Sequence, residues 1–137
     1  MNNIQIWASL IIPALGLLIV PITGYGIYQA RKYVRAQIYN SCVEKVIAFN
    51  SKIATLEEKS LSQERVDLLR EEILNIYENF CAHYIDGNFD KSRFKKSYTR
   101  EIRQLFEDSN FKDLLDTDTT VYPCIRETYR RLARERY

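Results

Sequence analysis

Hydrophobic positions along this chain follow two regimes. From Ile4 to Tyr28 they form a nearly unbroken run, IQIWASLIIPALGLLIVPITGYGIY, and the first charged side chain is Arg31. Beyond it the apolar positions become periodic. Ile38, Cys42, Val46, Phe49, Ile53 and Leu56 advance in steps of three and four, the signature of one face of a helix. Val66, Leu69, Ile73, Ile76, Phe80 and Tyr84 repeat the alternation, and so do Phe94, Tyr98, Ile102 and Phe106. Strand signals are weak throughout, and Thr119 to Tyr122 is too short a run to count. The pattern predicts an all-α chain, with a membrane-spanning helix over residues 1–30 and a helical cytoplasmic domain over residues 31–137.

Punctuation sharpens these elements. No Gly or Pro follows Gly26 until Gly87, so the first soluble helix is expected to run on from the apolar segment as one rod. Ser60 with Gln63 resembles a capping box for the second. Asp86-Gly87-Asn88 should end that helix, and Asp90 should cap the third. Phe111 to Leu115 is read as a short turn of helix and Asp116 to Thr120 as loop. Pro123 suits the first turn of a last helix that buries Ile125, Tyr129 and Leu132.

The apolar run is long enough, at about 1.5 Å per helical residue, to cross a hydrocarbon core of roughly 30 Å. A cleaved signal peptide opens with a basic segment; MNNIQIW has no basic side chain, so a retained anchor is expected. Arg31, Lys32 and Arg35 follow the run at once. Basic residues stay on the cytoplasmic side, which predicts a single-pass inner-membrane protein with its N-terminus outside. Trp7 near one end and Tyr25, Tyr28 and Tyr33 near the other suit interfacial belts.

Within the run, Asn2, Ser9, Gly16, Thr23 and Ala30 recur every seven residues, with Gln5 and Gly26 on adjoining turns. Small and polar residues on one stripe of a span mark a helix–helix face, and here the partner helix must come from another chain. Two readings stay open for Asn2, Gln5, Ser9, Gly16 and Thr23: plain helix packing, or a ring of spans with the stripe lining an uncharged pore. Pro13 and Pro21 could bend the helix and are tolerated where neighbours satisfy the freed carbonyls.

Charge alters the picture next. All 20 basic and 18 acidic side chains lie in residues 31–137. They alternate in blocks: basic over 31–59, acidic over 64–86, basic over 91–106, acidic over 107–120 and basic over 126–137. The blocks are either solvated faces with intrachain neighbours of opposite sign, or complementary surfaces that meet between subunits. Lys95, Arg100 and Arg103 on the third soluble helix, and Arg130 and Arg134 on the last, are the candidate contacts to another subunit or to RNA. The last block could also meet acidic lipid or a neighbour's Asp113–Asp118 loop.

Chemistry is sparse. Cys42, Cys81 and Cys124 form no CxxC pair, and reduced, partly buried thiols are expected of them. His83 is the sole histidine, so neither a metal site nor a cofactor is expected. No phosphate-binding glycine loop or nucleophile elbow occurs. One family of helical nucleases carries an Arg separated from a His by four to six residues. Those positions are Ile76, Tyr77 and Glu78 here, so His83 is read as structural and the chain as no enzyme.

With the uncharged start MNNIQIWASLIIPALGLLIVPITGYGIY, the basic exit RKYVR and the compact helical remainder, the chain resembles the small membrane accessory proteins of type VI-B CRISPR–Cas systems. Through LNIYENFCAHYIDGNFD and YPCIRETYRRL it also resembles uncharacterised single-span bacterial membrane proteins. The first resemblance implies a pore that assists an RNA-guided, RNA-cleaving effector in antiphage defence, with that effector or its RNA as partner. The expected function is therefore an oligomeric membrane pore or depolarising effector, in a homo-oligomeric ring of six or more in the bilayer; the alternative is a membrane-tethered scaffold that binds a cytoplasmic protein or RNA and conducts nothing.

Overall fold

The computed structural model describes residues 3–56, 61–117 and 119–134, with the side chains of residues 3–20 outside that description. The regular structure among the described residues is all α-helix, with no strand: α1 (Asn3–Ala54), α2 (Gln63–Asp86), α3 (Lys91–Glu107), α4 (Ser109–Leu115) and α5 (Pro123–Arg134). The chain divides into two compact units, Met1–Val34 and Arg35–Tyr137, and α1 contributes to both.

Among the described residues no helix is long and apolar enough to cross a membrane. Most of the apolar run Ile4 to Tyr28 falls on residues 3–20, whose side chains lie outside the description. In the part described, Ile22, Tyr25, Ile27, Tyr28, Tyr33 and Val34 are each at least half exposed, at 50–69%. Gln29 Nε2 donates to Tyr25 Oη at 2.7 Å, one turn back. A Cβ added at Gly24 or Gly26 would meet nothing within 4 Å.

The second unit is a bundle arranged around α2. Phe80, fully buried in the C-terminal part of α2, collects Tyr39, Phe89, Phe94 and Tyr98 at centroid distances of 5.8, 5.4, 5.0 and 4.8 Å, all edge-to-face. That geometry sets the positive ring edge on the negative ring face. Tyr84 stacks on Phe94 at 4.6 Å, and Phe106 of α3 stacks on Tyr129 of α5 at 4.1 Å. Leu74, Ile102, Leu115 and Ile125 complete the interior.

Several local expectations shift. On α1 the buried residues are Tyr39, Cys42, Val46 and Phe49; Ile38 is half-buried and Ile53 is exposed. The face turns toward Tyr39 because its ring is the one that meets Phe80 and Phe89. On α2, Leu74, Tyr77 and Cys81 are buried whereas Val66, Ile73 and Ile76 are half-buried. Leu69, Phe80 and Tyr84 are buried as expected, and the buried face is broader than the expected stripe, extending to one side of it through Tyr77, Cys81 and Leu74.

The α2 cap is Ser62, whose Oγ accepts from Arg65 N at 3.3 Å; Gln63 is thus the first helical residue and cannot close a capping box. Ser60, the expected cap, lies outside the described residues. The α2 C-terminus follows expectation: Gly87 has φ 70, and Asn88 N donates to His83 O. Asp90 caps α3 through Ser92 N and Arg93 N, as expected. Asp108 ends α3 and caps α4 through Asn110 N, which brings the start of α4 forward to Ser109.

Candidate functional site

The bundle is built so that its charged side chains fall on outward helix faces. On α3, Phe94 and Ile102 are buried and Tyr98 half-buried, so at 100° per residue Lys96 and Arg100 fall on the opposite side. Both are exposed, and neither is in an ion pair among the described residues. Arg93 leans back over the Tyr39 ring, 4.3 Å from its centroid, and Lys91 lies 5.6 Å from that of Tyr84.

α5 packs against α3 with 106 opposite 129 and 103 opposite 132, an antiparallel pairing. The exposed Arg130 and Arg134 therefore lie toward the half of α3 that carries Arg100 and Arg103. Arg103 has an intrachain duty: Nη2 donates to Leu132 O at 3.2 Å and satisfies a carbonyl at the C-terminus of α5. Lys95 is half-buried and has a partner within the chain. Of the basic residues singled out from sequence, Arg100, Arg130 and Arg134 face solvent, while Lys95 and Arg103 are engaged in the fold. Thr23 is exposed and also has a partner, whereas Asn2, Gln5, Ser9 and Gly16 fall outside the described residues or their described side chains.

The α1–α2 seam is an open groove. Lys45 and Lys52 rim it from α1, and Glu72, Asn75 and Asn79 from α2, with Ile76 in its wall. One section of it, about 430 Å³, is also lined by Leu68 and Glu71. Lys52 and Glu72 form an ion pair across it. On the outer surface of α2, Glu64, Asp67, Leu68, Glu71 and Asn75 form one exposed stripe, opposite the buried Tyr77, Phe80 and Tyr84. Asp67 pairs with Arg70 at 3.2 Å; Glu64 and Glu71 are in no ion pair among the described residues.

One functional contact escaped the sequence. The carboxylate of Glu78, on α2, accepts from Cys124 N and Ile125 N, each at 2.9 Å, and so caps the N-terminus of α5 from another helix. A signal for it existed: α5 begins Tyr122-Pro123-Cys124, with no Ser, Thr, Asp or Asn at the usual cap position, so its first N–H groups need an acceptor from elsewhere. The same carboxylate bears on the Cys124 thiol. Burial first, then the bond and charge of Glu78, push that thiol up to about 11. Burial raises Cys81 further still, against a smaller opposing effect of the Thr128 hydroxyl beside it. Thr128 Oγ1 itself is buried and makes no hydrogen bond of normal geometry among the described residues. Both thiols are thus held toward the protonated form.

His83 sits in the α2 terminal turn, where Asn88 Nδ2 meets its Nδ1 at 3.0 Å. An amide nitrogen donates, so in this pairing Nδ1 is the acceptor. No group of three or more His, Cys, Asp or Glu side chains among the described residues could hold a metal ion. No family model, curated protein or solved structure matches this chain.

Proposed function

We propose that the chain is a single-span protein of a bacterial inner membrane, anchored with its C-terminal bundle in the cytoplasm, and that the bundle serves as a self-associating scaffold with no enzymatic activity. The observation that carries this reading is the exposed apolar band Ile22, Tyr25, Ile27, Tyr28, Tyr33 and Val34, at the end of a charge-free run and interleaved with Arg31 and Lys32. Large apolar side chains gain about 1.5–3 kcal/mol each when taken out of water, and a bilayer is the apolar phase that a helix with this band and this basic exit fits. A scaffold needs an anchor and accessible surfaces. The band supports the first, and the outward stripes of α2 and α3 support the second. The test is fractionation with carbonate washing, together with a C-terminal alkaline phosphatase fusion. The reading expects full-length protein in the washed membrane pellet and an inactive fusion; release by carbonate, or phosphatase activity in the periplasm, refutes it.

A second reading rests on the heptad-spaced stripe Asn2, Ser9, Gly16 and Thr23 with Gln5 beside it. In it, a homo-oligomeric ring of six or more spans turns this stripe to a central axis and depolarises the membrane in antiphage defence, alongside an RNA-guided effector. The resemblance to type VI-B CRISPR–Cas accessory proteins points the same way. The stripe is also what close helix packing requires, so it supports self-association under both readings.

A further inference from the structure

We infer that the outward stripe of α2, Glu64, Leu68 and Glu71, docks onto the outward basic face of α3 and α5, Lys96, Arg100 and Arg134, of a second copy of this chain. The inference rests on, and specifies, the self-association proposed above. Four observations carry it. The two surfaces are opposite in sign: residues 64–72 carry four acidic and two basic side chains, and residues 91–106 six basic and one acidic. Glu64, Glu71, Lys96 and Arg100 are all exposed, and none is in an ion pair among the described residues. Glu64, Leu68 and Glu71 lie on the exposed side of α2, where Leu68 and Glu71 also border the groove beside Lys45, and Lys96 and Arg100 lie on the side of α3 opposite Phe94 and Ile102. At the centre of the acidic stripe Leu68 is 53% exposed, an apolar anchor inside a charged rim.

A contact between two different surfaces of identical chains either repeats reciprocally in a twofold dimer or runs head-to-tail until a ring closes or a filament grows. Charge complementarity of this kind fixes orientation and speeds encounter, and it weakens as salt rises. RNA or anionic lipid would meet the basic face as well, but neither would use the α2 stripe. A second copy is the occupant that employs both.

The experiment uses the full chain in detergent, with stoichiometry read by light scattering and sedimentation. Two double variants each reverse one surface: Glu64→Lys with Glu71→Lys, and Lys96→Glu with Arg100→Glu. Arg103 is left intact because it caps α5. All four positions are exposed, and far-UV circular dichroism checks that the bundle persists. Each variant alone should bind itself roughly tenfold or more weakly at low salt, with a smaller loss at high salt. Mixing the two should restore one contact and yield a heterodimer, since each supplies the intact surface that the other lacks. Unchanged stoichiometry in both variants overturns the inference, and so does a mixture that behaves as the sum of its parts. Loss of oligouridine or phosphatidylglycerol-vesicle binding without any change in stoichiometry overturns it too. The outcome is separable from the anchoring proposal: restored pairing in protein released by carbonate keeps this contact and removes the membrane, whereas washed-pellet protein indifferent to charge reversal does the opposite.

Discussion

At the scale of single residues, Glu78 joins α2 to α5. The first turn of a helix leaves N–H groups without internal partners, and two of those of α5 rely on this one carboxylate. Glu78→Ala should therefore lower stability by about 1–3 kcal/mol, the cost of leaving half-buried donors unsatisfied, with Glu78→Gln losing less. Urea unfolding of the full chain measures it, and an unchanged midpoint would mean that water replaces the cap at no cost. Titration follows from the same neighbourhood. Cys124 rises from an ordinary 9.0 to about 11, and Tyr77 rises from 10.0 to about 12, mainly by burial and then by the charge of Glu101. Both groups hold their proton more tightly folded than unfolded. The stability this lends is fully present below about pH 9 and is lost as pH climbs through 11 to 12. Unfolding midpoints should hold from neutral pH to about 9 and fall above it, less steeply in Cys124→Ser. At pH 8 the buried Cys42 and Cys81 should react with a thiol reagent only after unfolding.

At the scale of elements, Gly87 shows what the sequence made legible. Its φ of 70 is left-handed backbone, a conformation that an Asp-Gly-Asn turn announces, and the bonds to His83 O and Tyr84 O close the end of α2 around it. Gly87→Ala should cost about 1 kcal/mol in thermal unfolding, although 3.7 Å to the nearest side-chain carbon leaves room for the methyl group. The result expected is a strain effect without a packing effect, and Gly87→Asn should recover part of the loss. Asp90, Pro123 and the 3.6-residue periods were equally legible, since each acts within one or two turns of its own position. Contacts between elements were not. The burial of Leu74 and Tyr77 depends on α2 having neighbours on two sides, and the turn of α1 toward Tyr39 depends on Phe80 and Phe89. Arg103 read as a surface charge because nothing in α3 reveals that Leu132 O lies within its reach. The Glu78 cap spans 46 residues and left only a negative trace, the missing cap before Pro123.

At the scale of the whole molecule, the question is what the proposed spans would do if they met. Residues 1–30 hold no charge, so a ring of them could conduct only through hydroxyls, amides and glycine, and leucine or isoleucine on the axis would close it by dewetting. Gly16→Leu separates closely packed helices whatever their purpose, and it should reduce stoichiometry in detergent under both the scaffold and the pore readings. Membrane potential is the readout on which they part. With a voltage-sensitive dye, cells that express the full chain should match an empty vector if the protein is a scaffold, even with a triggered RNA-guided defence system present. A collapse of the potential would transfer the function to the pore, provided that Ser9→Leu with Thr23→Leu abolishes it while the oligomer persists. The double substitution keeps the helix apolar and long enough to anchor; it exchanges two hydroxyls for apolar bulk on the stripe, which is why the oligomer must be shown to persist in the same sample. Protection against phage that survives it with a steady potential would place the work of this protein in the bundle, where Arg100 and Glu71 are both exposed.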